Sequence, residues 1–258
     1  MNRVQPVAAT LLALALVNAL GGTARAAGQR YQVSGHDSFV IGDGDIQSET
    51  EYRGTQVLTV SHRGKITRYV ATAAYERSDQ GAATKASADF VIDLLPSGDQ
   101  IASADHDPDY LTILNQPFSA RLDPKTLRDL RGLKGRAPFD FPSPFTGSAI
   151  HGHLDRAGSG FMGPHHVLGV RFEAAGPMNG RLPDRPGLSL VGGIAMSGTA
   201  YYDLDTALLV SLDATVTITG KVSNRNGNDP VTIVYRRTIR ADDSPRGFTQ
   251  EARSSPKP

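Results

Sequence analysis

The chain has 258 residues, with 27 Lys+Arg against 26 Asp+Glu, 39% apolar residues and neither Cys nor Trp. That apolar share excludes a disordered polyelectrolyte, and a formal charge of +1 supplies no field for binding nucleic acid or a strongly anionic membrane. Without cysteine there is no disulfide framework, thiolate zinc site, iron–sulfur cluster or thiol nucleophile.

Residues 1–26 read as a secretory signal peptide. Arg3 supplies the positive end, an apolar run goes from Val7 to Leu20, and Ala24-Arg25-Ala26 has the small-x-small form of a cleavage site. Thr10 and Asn18 interrupt the run, and it falls short of the roughly 20 residues a membrane span needs. Removing it takes away Arg3 and Arg25 and no acid, which leaves the chain close to neutral. No later stretch has the pattern of a transmembrane segment, and export without cysteine fits a bacterial periplasm, with secretion beyond it as the alternative. The expected organisation is one β-rich domain over residues 27–241 and a polar, proline-containing disordered tail over 242–258.

Gly42-Asp43-Gly44-Asp45-Ile46-Gln47 opens like a dinucleotide fingerprint but lacks the third glycine, so it reads as a loop. Tyr52, Leu58 and Val60 lead through His62–Lys65 into an alternating run from Ile66 to Tyr75, a predicted hairpin. Ala86, Ala88, Phe90, Ile92 and Leu94 mark one face of a further strand, closed by the turn Pro96–Asp99. Asp105-His106-Asp107-Pro108-Asp109 starts like a calcium loop. It has Tyr110 where glycine is needed and Gln116 where a bidentate glutamate should stand, so it reads as an acidic surface turn. Asp123-Pro124 caps one short helix through Leu133. Ala137–Gly147, with three prolines, can be neither helix nor central strand and reads as a packed connection.

Strands are then expected at Ser148–Asp155, His165–Ala174, Leu188–Ala195 and Gly198–Asp203, with a Gly-rich loop at Arg156–Pro164. Residues 209–240 form a long hairpin about the turn Ser223–Asp229, because Val210–Ile218 and Val231–Ile239 both alternate. Arg236, Arg237 and Arg240 are assigned to wet faces. The fold class is mainly β: an antiparallel meander of about ten strands with one short helix, curled into a half-barrel or barrel. A flat sheet of that width would leave its edges and one greasy face open.

The run Gly198–Leu212, with its Gly-x-Ala-x-Tyr-Asp-x-x-Thr-x-Leu-Leu pattern, resembles the strand–turn–strand repeat of secreted bacterial β-rich proteins. Their sheets curl into open half-barrels, and they include envelope lipid and lipoprotein carriers. Where that family commonly has glycine after the threonine, this chain has Ala207. The resemblance implies a fold and a greasy concave surface, and no catalytic residue.

The candidate metal ligands are His151, His153 and His165. Spacing by two puts His151, His153 and Asp155 on one face, and a Gly-rich loop could fold His165 back near Asp155, so that three imidazoles and a carboxylate hold zinc. Ser159 lacks the spacing of a nucleophile elbow, and no phosphate loop occurs. The leading expectation is a periplasmic binding or envelope-maintenance protein for an apolar ligand such as a lipid, without a cofactor. A metal-dependent enzyme using the His cluster and a structural module docking to another envelope protein are the alternatives.

Overall fold

A computed structural model describes residues 27–42, 46–116, 121, 124–132, 136–142, 149–182, 185–224, 227–244 and 248–250. The expected signal peptide lies outside the described residues. The strands are β1 (Ala27–Ile41), β2 (Ile46–Arg63), β3 (Ile66–Asp79), β4 (Ala82–Leu94) and β5 (Gln100–His106), then β6 (Arg136–Pro142), β7 (Ala149–Met162), β8 (His165–Leu182), β9 (Arg185–Asp203), β10 (Leu209–Asn224), β11 (Gly227–Ala241) and β12 (Thr249–Gln250). One helix, α1 (Pro124–Gly132), and a 3-10 turn at Ile113–Asn115 fall between β5 and β6.

All pairings between these strands are antiparallel and belong to one sheet, in the order β12-β7-β8-β9-β10-β11-β1-β2-β3-β4-β5, with β6 beside β7. Two meanders, β1–β5 and β7–β11, are thus joined flank to flank where β1 pairs with β11. The sheet is open, so the closed-barrel alternative is not what forms.

Alternation gives the sheet one apolar face, the inner face, carrying odd positions on β1, β3 and β11 and even positions on β2, β4, β8, β9 and β10. The sheet curls toward it. A Cβ on Gly54 would lie 2.5 Å from the Cβ of its cross-strand partner Tyr75, and one on Gly152 2.6 Å from that of Ala174. Facing Cβ atoms normally stand roughly 4.5–5.5 Å apart, so at these positions the strands converge inward and only glycine fits.

The core divides along the strands. One half, with Tyr31, Leu58, Ala71, Phe172 and Leu212 among its members, is capped by Leu111, Ile113 and Leu114 and by Leu127 and Leu130 of α1. The other, built around Met178, Leu190, Ile194, Met196 and Ile218, draws every one of its members from strands.

The antiparallel meander with one short helix forms as expected, with twelve strands among the described residues. Several local expectations are corrected. The segment Ala137–Gly147 supplies most of β6, which Pro138 confines to a place off the main strand path. The supposed loop at Arg156–Pro164 is mostly strand: β7 runs on to Met162, and a bulge between Arg156 and Gly158 absorbs the irregularity. Part of the supposed tail is built into the fold. Asp242 donates its N–H to the Arg30 carbonyl and Thr249 pairs with Phe161, whereas residues 251–258 lie outside the described residues.

Candidate functional site

The three candidate metal ligands are not brought together. His151 and His153 share the outer face of β7 with Asp155, as alternation requires, but His165 is the first residue of β8, opposite Met162. Ala175 is the residue opposite His151, so His165 lies roughly 30 Å away along the strand. Each imidazole has its own carboxylate instead. His151 Nδ1 is 2.8 Å from Asp140, and His153 Nε2 is 3.4 Å from Glu173 and 3.7 Å from Asp155. His165 stands between Asp203 at 3.0 Å and Asp243 at 2.9 Å. Among the described residues no three His, Asp or Glu side chains form a group that could hold a metal ion.

Asp105–Asp109 and Arg237 prove to be structural where a wet surface was expected. Arg237 is 4% exposed and sits on the inner face, in the row of Tyr235 and Ile239. All five of its N–H groups are used. The two terminal nitrogens grip the Asp37 carboxylate as a fork and also donate to the carbonyls of Arg236 and Asp109, while Nε donates to the Tyr110 carbonyl at 3.2 Å. The guanidinium also packs over the Tyr52 ring at 5.1 Å.

Asp109 accepts from Tyr75 Oη at 2.5 Å and from Arg77 at 3.3 Å. Burial raises the Asp37 carboxyl above its ordinary range against the pull of Arg237, and burial pushes the Tyr235 hydroxyl up to about 12. Asp107, 3% exposed, accepts the N–H groups of Leu111 at 2.9 Å and Thr112 at 2.6 Å. The acidic run is therefore a clasp that pins Leu111–Leu114 over one half of the apolar face. The signal for Arg237 was in the alternation Val231, Ile233, Tyr235, Ile239, which places residue 237 inward.

Two regions remain as candidates for binding. The strand-only half of the inner face is a core of Met178, Met196, Leu190, Ile194, Ile218 and Val222, each 1–7% exposed, bounded by the Arg237–Asp37 pair. On the outer face an open trough of about 460 Å³ crosses β7 to β10, with His153 and Glu173 at one end and Thr215 and Thr217 at the other.

No family model and no curated protein matches the chain. Among solved structures it is similar to an acyl-CoA thioesterase II, TesB2, from Mycobacterium marinum, at 15% identity over 84% of this chain and 83% of that one, with a TM-score of 0.11. A tesB protein from Mycobacterium avium subs paratuberculosis follows at 10% identity, covering 82% and 79%, with a TM-score of 0.10. Likenesses this faint carry no argument about fold or activity. Among the described residues no helix is long and apolar enough to cross a membrane.

Proposed function

We propose that this chain is an exported, periplasmic binding protein that holds an apolar ligand, such as an acyl chain, against the strand-only half of its curled sheet. One observation carries the reading: the Leu111–Leu114 clasp and α1 cap one half of the apolar face, while among the described residues the other half has strand side chains alone. That half is closed by its own side chains, 0–7% exposed, so a ligand would enter by parting them, and the two methionines there are adaptable lining for a flexible chain. The amino-terminal export signal and the half-barrel likeness of Gly198–Leu212 point the same way.

Native mass spectrometry of protein purified from its own periplasm tests it. A mass excess matching a lipid that detaches on collisional activation is the expected result; a bare mass, with no displacement of a fluorescent fatty acid by added lipid, would refute the carrier reading.

A docking module is the second reading, favoured by β5. All seven of its residues are exposed, and one side of the strand has no partner among the described strands. It predicts the bare mass together with co-purification of an envelope protein that a proline at Ala102 abolishes.

A further inference from the structure

The strand-only half ends on a polar row in which acids and bases are unevenly placed. Cross-strand register puts Met196, Val216, Tyr235, Asp37, Thr50 and Asp79 in one inner-face row across β9, β10, β11, β1, β2 and β3. The next row toward the apolar half is Ile194, Ile218, Ile233 and Phe39. The next row the other way holds Arg237, Gly35, Tyr52 and Arg77. At the level of the main chain the carboxylates thus stand beside the apolar half, and their arginines start one row behind, roughly 7 Å further along the strands.

The charge of both arginines is already answered. Arg237 has every N–H committed and grips the Asp37 carboxylate as a fork. Arg77 is divided between Asp79 at 2.9 Å and Asp109 at 3.3 Å. Three carboxylates therefore face two guanidiniums, an excess of one negative charge. Burial raises the Asp37 carboxyl, and Asp109 nearby adds to the rise, so a further carboxylate set beside it is disfavoured.

Hydrogen-bond acceptors, in contrast, are in surplus. The Thr50 and Tyr75 hydroxyls give their hydrogens to Asp79 and Asp109. Asp79 takes one hydrogen bond on each oxygen, about half of what a carboxylate can accept, and its side chain is 46% exposed. The Tyr235 hydroxyl, where the row turns apolar, serves a neutral oxygen as well as a charged one. This border can take a donor and offers little to an anion.

We propose that the ligand of the strand-only half is a single-chain lipid whose head donates hydrogen bonds and bears no negative charge, a long-chain amine or alcohol rather than a fatty acid. The inference rests on the carrier reading above. The chain parts the side chains of Ile194, Met196 and Ile218, and the head stops at the row of Asp37 and Asp79, where Asp79 accepts its hydrogens.

Displacement of the uncharged fluorophore Nile red from the purified full chain at neutral pH tests it, with tetradecylamine, tetradecanol and tetradecanoate as competitors of one chain length below their micelle-forming concentrations. The amine should displace the probe at a concentration at least about tenfold below that of the acid, with the alcohol between them. Asp79→Asn keeps an oxygen for the Thr50 hydroxyl and removes the charge, so the gap between amine and acid should narrow to about threefold or less. Tetradecanoate that displaces Nile red as well as the amine does, or an undiminished gap in Asp79→Asn, overturns the head-group inference and leaves the carrier reading standing. Nile red that does not bind, or that none of the three displaces, removes both.

Discussion

Ala207 shows how one side chain is tolerated against its backbone. It has φ 60° in the β9–β10 turn, donates its N–H to the Asp203 carbonyl at 2.8 Å and is 4% exposed. The left-handed conformation costs an alanine roughly 1–2 kcal/mol. Glycine would remove that cost but add about 0.5–1 kcal/mol of chain entropy and forfeit about 0.8 kcal/mol of methyl burial. Ala207→Gly should therefore change unfolding free energy by less than about 1 kcal/mol, whereas the β-branched Ala207→Val should lose more than about 2 kcal/mol by urea denaturation.

Arg237 is the opposite case, a charge held inside because every donor is matched. Arg237→Met strands the Asp37 carboxylate and should cost about 3–5 kcal/mol, with most of it returned by adding Asp37→Leu. A single-mutant loss below about 1 kcal/mol would show that the pair is not shielded from water. Alternation along β11 could have placed Arg237 inward. The three-histidine grouping could not be judged in that way, because it depended on where β7 turns, and Ala157-Gly158-Ser159-Gly160 has the composition of a loop while forming strand.

At the scale of elements, the Leu111–Leu114 clasp owes its position to one carboxylate. Asp107→Ala would leave the buried N–H groups of Leu111 and Thr112 without acceptors, each costing about 1–3 kcal/mol. The expected loss is about 2–5 kcal/mol in urea, with amide exchange rising first at Leu111–Ile113 and β2. Asp107→Asn, which keeps one acceptor oxygen, should lose less. Strands with an unbroken apolar stretch on the inner row were legible, as in β10 from Val210 to Ile218, β4 from Ala86 to Leu94 and, Arg237 apart, β11. The missed strands have interrupted rows: β1 places Gly35 and Asp37 between Val33 and Phe39, and β5 is exposed throughout. Both are set by their neighbours in the sheet. β1 is held by β11, from the far end of the chain, and no local pattern encodes that pairing.

For the whole molecule, cross-strand acid–base pairs set a pH window of stability. Asp93 is held below the ordinary carboxylate range by hydrogen bonds from Arg68, and Asp79 by the Thr50 hydroxyl and then Arg77. Asp203 is also lowered: burial opposes this, but the Thr206 N–H and His165 prevail. Groups lowered on folding contribute stability above the ordinary value of 3.8 that is lost as pH falls through the lowered value. His165 is raised, and so is His106 by its hydrogen bond to Asp89, so their contribution is complete below 6.5 and lost as pH rises through the raised value. Asp37 blunts the acid limb, because burial holds its carboxyl high and protonation there favours the folded chain. The thermal midpoint should accordingly be highest between about pH 4 and 6.5 and lower at about pH 8.5. In His165→Gln the alkaline decline should flatten while the acid limb largely stays, since Asp203 keeps its Asp205 and Thr206 donors. A scan series across that range checks it, and an undiminished alkaline decline in the variant would place the titrating group elsewhere.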